Sequence, residues 1–255
     1  MSKFYEIFSV KDKRVLITGA ANGNGRALSK AFSEADSDIF LVDVDKHNLD
    51  SLVEEIKVHK NINVQSAAFD LSNSEELSDF LKKNTHFDVV INNAGITRGN
   101  HILDYEDFDW DLTYKVNLLA PYKIIKKVSK KMSERKSGSI INITSLAAEV
   151  GFPENPAYVA FKGALKQLTK AAALDLSSSG IRVNSIGPGY FKTNMTAKSW
   201  KDKTLREERS NRMMLSRWGE PSDLIGIAIF LASDASSYVT GQDFYIDGGW
   251  LAKGL

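Results

Sequence analysis

The feature that most constrains this chain is a glycine-rich turn wedged between a strand-like run and a helix-like run. Val15–Thr18 (VLIT) leads into Gly19-Ala20-Ala21-Asn22-Gly23-Asn24-Gly25, and helical spacing follows over Gly25–Ala35. Gly19 allows a tight turn, Gly23 lets the backbone approach a pyrophosphate, and Gly25 lets helix and strand pack closely. The helix start then offers free N–H groups and a partial positive charge to phosphates. The spacing is G-x-x-x-G-x-G, not the commoner G-x-G-x-x-G. Glycines alone also mark ordinary turns, so the flanking strand and helix give the motif its weight.

The rest of the chain repeats that alternation. Ile39–Asp43, Asn63–Phe69, Val89–Asn92, Ser139–Thr144, Arg182–Ile186 and Asp243–Ile246 read as further strands, most of them apolar on both faces. Lys46–His59, Ser74–Lys83, Tyr114–Ser133, Ala157–Ser177 and Pro221–Leu231 show helical spacing. The pattern predicts an α/β fold, a Rossmann-like doubly wound parallel sheet of about seven strands with helices on both faces. No repeat, low-complexity tract or linker interrupts it, so residues 1–255 are expected to form a single domain. One stretch breaks the rhythm. Residues 190–219 are dense in charge and follow the sixth strand, where a lid over an active site is expected. Within it, Lys198–Arg212 reads as a solvated helix face, with Trp200, Met213 and Met214 turned inward.

Composition narrows the chemistry. Cysteine is absent, which removes disulfides, thiol catalysis and Cys-based metal sites. The four histidines are scattered without metal-ligand spacing, so no metal is expected. With 33 basic and 32 acidic residues there is no general pull toward nucleic acid or anionic membrane. The longest apolar run, Ile227–Ala232, is far too short to span a bilayer. The first residues lack the apolar stretch of a secretory signal, so a cytoplasmic protein is expected.

Asp43 ends the second strand, 18 residues after Gly25, where a carboxylate accepts hydrogen bonds from an adenosine ribose. It would repel a 2′-phosphate, and no Arg or Lys lies between Gly19 and Gly25 to compensate, so NAD is favoured over NADP. Lys46 nearby keeps NADP open, and the plainer alternative is that Asp43 caps the next helix.

Ser145 follows the fifth strand, and Tyr158-Val159-Ala160-Phe161-Lys162 opens a helical stretch thirteen residues on. Positions i and i+4 share a helix face, which sets the Lys162 ammonium beside the Tyr158 ring. A free phenol titrates near a pKa of about 10, and a neighbouring cation is expected to lower it. A serine hydroxyl nearby holds a substrate oxygen, which makes an acid/base pair suited to moving a proton on or off a C–O group. A second copy of the spacing, Tyr122 with Lys126, has no such serine and reads as helix surface.

With these residues in place the chain resembles the short-chain dehydrogenase/reductase family, single-domain type, over nearly its whole length. The match runs from the Thr18–Gly25 loop through Asp70-Leu71, Asn92-Asn93-Ala94-Gly95, Asn117, Ser145, Tyr158 with Lys162 and Pro188-Gly189 to Asp247-Gly248-Gly249. The resemblance implies that Asp70 and Leu71 contact the adenine end and that Asn93, Ala94 and Gly95 line the cofactor. It implies that Asn117 holds a water linking Lys162 to solvent and that Lys162 also binds the nicotinamide ribose. Pro188, Gly189 and Thr193 would lie at the nicotinamide, Thr193 on its carboxamide. Asn22, Gly23 and Asn24 belong to the cofactor loop; Asn24 departs from the family, which usually has an aliphatic residue there. A homotetramer paired through the stretches Tyr114–Ser133 and Ala157–Ser177 is also implied.

The carboxy-terminal third is similar to the gluconate 5-dehydrogenase / 2-deoxygluconate 3-dehydrogenase branch. This implies hydride transfer between NAD(H) and a secondary alcohol or ketone of a sugar acid. Arg98 follows the Asn-Asn-Ala-Gly motif and is the expected partner of the substrate carboxylate; a solvent-facing loop arginine is the alternative. Two other functions share the fold. One is an NADPH-dependent 3-oxoacyl-thioester reductase. The other is a non-catalytic nucleotide-sensing protein, against which the intact Asn117, Ser145, Tyr158 and Lys162 set argues.

Overall fold

The computed structural model of the chain describes residues 3–57 and 62–253, and the expected end of the second helix at His59 lies outside them. A short helix, α1 (Lys3–Ile7), precedes β1 (Arg14–Thr18), α2 (Gly23–Glu34), β2 (Asp38–Asp43), α3 (Lys46–Lys57), β3 (Val64–Ala68), α4 (Ser74–Lys83) and β4 (Val89–Asn92). There follow α5 (Asp107–Tyr114), a π turn (Lys115–Leu119), α6 (Ala120–Arg135), β5 (Gly138–Ile143), α7 (Pro156–Leu176) and β6 (Ile181–Pro188). The last third adds α8 (Ala197–Lys201), α9 (Lys203–Arg212), α10 (Ile225–Ala232) and β7 (Asp243–Ile246).

The described strands form one sheet in the order β3-β2-β1-β4-β5-β6-β7, every pair parallel. This is the expected doubly wound sheet. Side chains alternate across each strand, so β1 feeds two cores. Val15 and Ile17 pack with Leu28, Phe32, Leu49 and Leu52 of α2 and α3 and with Ala228 and Leu231 of α10. Leu16 faces the other way, with Leu77 and Phe80 of α4, Ile124 and Val128 of α6 and Ala172 of α7. Each fully buried Leu, Ile or Phe contributes roughly 1.5–3 kcal/mol. Phe40 anchors the second core edge-on, 5.2 Å from Phe80 and 6.0 Å from Phe87 between ring centres. Burial falls off at the two edge strands, β3 and β7, which neighbour only one strand.

One departure bears on the site. The helix expected from Tyr114 begins seven residues earlier, at Asp107, and passes through the π turn before α6. Segment 190–219 carries α8 and α9, where a helix face is expected over Lys198–Arg212. None of the described helices is long and apolar enough to cross a membrane. Among the described residues no three His, Asp or Glu side chains converge as a metal would require.

Candidate active site

The strand order reverses between β1 and β4, which opens a crevice at the carboxyl ends of the strands, the usual ligand site of such sheets. A cavity of about 490 Å³ fills it, lined from the glycine turn and Asp43 to Ser145, Tyr158 and Lys162. All the site residues expected from the sequence line this cavity except Asn117 and Arg98.

At the glycine turn the backbone leaves no room for side chains. Gly19 has φ +65°, and a Cβ there would stand 2.8 Å from Ala94 Cα. A Cβ on Gly25 would stand 1.9 Å from the Gly19 carbonyl oxygen. Asn93 ties the turn down, its amide donating to the Thr18 and Gly19 carbonyls at 3.0 and 2.9 Å. The Asp43 carboxylate accepts from Ala21 N at 2.8 Å and from Asp45 N at 3.0 Å. Asp43 does not cap α3. Asp45 does, accepting from Asn48 N at 3.1 Å. Asn22 donates to Asp45 and makes no side-chain cap to α2, so the first-turn N–H groups stay uncapped at the cavity wall. Asn24 Oδ1 is buried without a hydrogen-bond partner. An uncapped helix start, a glycine cradle and an orphaned acceptor together fit a dinucleotide. Asp70 and Leu71 line the cavity as well, and Asp70 accepts from Ser72 N at 2.8 Å. Lys46 turns away to Asp50 at 2.5 Å.

Ser145 follows β5 with its hydroxyl accepting from Ala147 N at 3.2 Å and facing Tyr158 across the cavity wall. Pro156 opens α7, and the helix carries Tyr158 and Lys162 one turn apart. Lys162 is buried; its Nζ donates to the Ile143 carbonyl at 2.6 Å and lies 5.7 Å from the Tyr158 ring centre. Burial lowers the ammonium to about 8. The expectation of a lowered phenol is corrected: burial pushes Tyr158 up, and the Ser145 hydrogen bond only partly opposes it. Desolvation disfavours the phenolate, and the Lys162 ammonium is engaged by a backbone carbonyl. Asn117 sits in the π turn behind the cavity wall, its amide bonded both ways to Ile96, accepting at 2.9 Å and donating at 2.8 Å. A Cβ on Gly95 would meet Lys162 Nζ at 3.4 Å and Asn117 Oδ1 at 3.5 Å, so the three residues abut. π turns of this kind are frequent at functional sites. The arrangement can hold a C–O oxygen between Ser145 and Tyr158 and pass it a proton.

A family model described as enoyl-(acyl carrier protein) reductase matches residues 19–251. The chain belongs to the short-chain dehydrogenase/reductase family. It is an oxidoreductase acting on CH–OH groups with a nicotinamide dinucleotide as the family's cofactor. It is 35% identical to 5-keto-D-gluconate 5-reductase of Escherichia coli (strain K12) over 251 residues, covering 96% of this chain and 98% of the relative. It is also 35% identical to 3-oxoacyl-(acyl-carrier-protein) reductase of Thermotoga maritima over 244 residues, covering 94% and 98%. A crystal structure of a gluconate 5-dehydrogenase from Burkholderia cenocepacia, in complex with NADP and tartrate, superposes with a TM-score of 0.90 at 32% identity, covering 97% of this chain and 98% of that one.

Against that family frame, the substrate side differs from what the sequence suggested. Arg98 does not reach the cavity; its Nε lies 3.8 Å from Asp109 and its side chain is half exposed. The carboxylate of α5, a helix the sequence pattern missed, draws it away. Met213 is buried as expected, but Met214 is exposed and Trp200 only half-buried; Phe191 and Trp218 are buried aromatics of segment 190–219. Thr193 lines the cavity and bonds through its N–H to Thr196 Oγ1 at 3.2 Å. Phe152, Tyr190 and Arg209 line the cavity as well, and the motif reading found none of them. The Tyr122 and Lys126 pair lies on the exposed face of α6, as expected.

Proposed function

We propose that this chain interconverts a secondary alcohol and a ketone on a sugar acid, such as gluconate or a related keto-aldonate, with NAD(H). The observation that carries the chemistry is the convergence of Ser145, Tyr158 and buried Lys162 on one cavity. Cofactor choice rests on Asp43, which lines the adenosine end of the cavity with no cation from the glycine turn beside it. The names of the gluconate-acting relatives support the substrate class.

A nicotinamide dinucleotide bound along the glycine turn supplies or accepts the hydride. The protein's part is to hold and move a proton. Ser145 Oγ donates to the substrate oxygen and orients it. Tyr158 Oη gives its proton to that oxygen in reduction and takes it in oxidation. Burial favours the neutral phenol, the acid form needed for reduction. Lys162 stands ready to stabilise the phenolate left behind, and Asn117 fixes Ile96 and the wall beside Lys162. The segment 190–219 acts as a lid over the substrate.

The assembly proposed is a homotetramer paired through α6 and α7. Leu174 of α7, 79% exposed, and Tyr122 of α6 are apolar surface that such pairing would bury.

A second reading is NADPH-dependent reduction of a 3-oxoacyl thioester, favoured by the Thermotoga maritima relative. One screen separates the two. Purified protein is given NAD(H) or NADP(H) with aldonic acids, keto-aldonates and 3-oxoacyl thioesters, and reduced nicotinamide absorbance is followed. Turnover with NAD(H) and a sugar acid supports the first reading. Turnover only with NADPH and a thioester replaces it with the second.

A further inference from the structure

We infer that Arg209 is the anchor for the substrate's carboxylate, held in position on the face of Tyr190. The inference rests on the sugar-acid reading above and names the residue that makes the site selective for an acid.

The chain has nine arginines. Eight have a polar partner: Arg14 with Gln65, Arg26 with Glu55, Arg98 with Asp109 and Arg135 with Asp88. Arg182 bonds Ser236, Arg206 the Trp200 carbonyl, Arg212 Glu208 and Arg217 Asp223. Arg209 alone makes no hydrogen bond or ion pair with a described residue, yet it is part-buried and lines the active-site cavity. A guanidinium drawn out of bulk water without an acceptor is electrostatically incomplete, and an anionic ligand completes it.

What holds Arg209 is aromatic. Its Cζ lies 4.6 Å from the centre of the Tyr190 ring. A guanidinium stacked on a ring keeps its N–H edge free, and that edge matches a carboxylate through two parallel hydrogen bonds. Tyr190 is itself fixed between Trp218 at 5.3 Å and Phe152 at 6.3 Å. Phe152 follows the Ser145 loop, so the aromatic wall runs from the proton-transfer residues to the cation. The neighbouring charges of α9 are otherwise engaged, Glu208 with Arg212 and Glu207 with Lys203. The competing anion is the cofactor pyrophosphate, for which the uncapped start of α2 offers its own free N–H groups.

The test is steady-state kinetics of Arg209→Gln and Arg209→Lys with an aldonate and with the matching neutral alditol, beside NADH titration by fluorescence. Arg212→Gln, an exposed arginine of the same helix, controls for lost charge, and circular dichroism checks folding. Arg209→Gln should raise KM for the aldonate on the order of 10- to 100-fold, with the alditol within about twofold and NADH affinity unchanged. Arg209→Lys should fall between, and Arg212→Gln should match the parent. A parallel loss for acid and alditol, or a parallel fall in NADH affinity, overturns the inference. If the parent protein turns over no aldonate, the sugar-acid reading falls and takes this one with it. If the parent does and Arg209→Gln leaves that KM unchanged, this inference falls alone.

Discussion

Lys162 sits one helical turn after Tyr158, its ammonium 5.7 Å from the ring centre, yet its hydrogen bond goes to the Ile143 carbonyl at 2.6 Å. A charge is therefore buried beside a neutral phenol, with a backbone oxygen as its partner. Such a placement costs stability and serves chemistry.

Lys162→Met should abolish turnover and stabilise the unliganded protein. Burial lowers the ammonium from its ordinary 10.5 to about 8, a penalty of roughly 3 kcal/mol at neutral pH. Losing the donor to Ile143 costs about 1 kcal/mol, leaving a net gain of about 2 kcal/mol. The sign with pH follows from proton counts. Between about 8 and 10.5 the native lysine is neutral while the unfolded one stays charged, so the parent protein gains stability as pH rises through that window. The gap between parent and variant, measured by denaturant unfolding, should be full below about 8 and shrink toward 10.5. A gap that does not change across the window would contradict the burial argument.

Tyr158→Phe should lower kcat on the order of 10²- to 10⁴-fold while leaving NADH binding intact. Because burial raises the phenol, the absorbance difference between parent and variant should show no phenolate up to pH of about 10 in the unliganded protein. A phenolate signal near neutral pH would restore the expectation that the cation controls the ring.

Gly25→Ala tests the turn. Alanine gains about 1 kcal/mol in helix propensity, but its Cβ would lie 1.9 Å from the Gly19 carbonyl oxygen, a rigid backbone atom. The clash should win, destabilising by about 1–3 kcal/mol and weakening dinucleotide binding at least tenfold. Thermal melts and NADH titration read both effects; a variant as stable as the parent would mean that the turn tolerates a side chain.

Asp43→Ser should shift kcat/KM toward NADP by on the order of tenfold, since a carboxylate facing a 2′-phosphate is removed. The same change deprives Ala21 N and Asp45 N of their acceptor, so the melting temperature should drop by the equivalent of about 1–3 kcal/mol. An unchanged cofactor ratio with a lowered melting temperature would leave Asp43 a purely structural residue.

Light scattering should give four times the 28.3 kDa chain mass. Leu174→Lys, on the exposed face of α7, should shift the protein toward smaller species with the sheet intact. A monomeric parent would remove the pairing of α6 and α7.

Much of this was legible in the residues. Periodicity located the strands within a residue or two, because buried parallel strands must be apolar on both faces, and β6 differs most, starting at Ile181 and running on to Pro188. The helix start at Asp107 was hidden because Asp-Phe-Asp-Trp-Asp alternates polar and apolar residues with no helical stripe. That omission concealed Asp109, and with it the reason Arg98 turns away from the cavity. Arg209 was hidden in the opposite manner. Arg206 and Arg209 both turn inward from α9, and cations on the inward face of a charge run read as solvated surface.

The sequence by itself determined the order of the strands' apolar runs, the glycine turn and the Tyr158–Lys162 spacing, since each depends on contacts within a few residues. Only the tertiary structure decided that burial raises the Tyr158 phenol and that Asp43 holds the turn while Asp45 caps α3. It alone brought Arg209 onto Tyr190 at the cavity, since burial and unpaired charge depend on chain segments far apart in sequence.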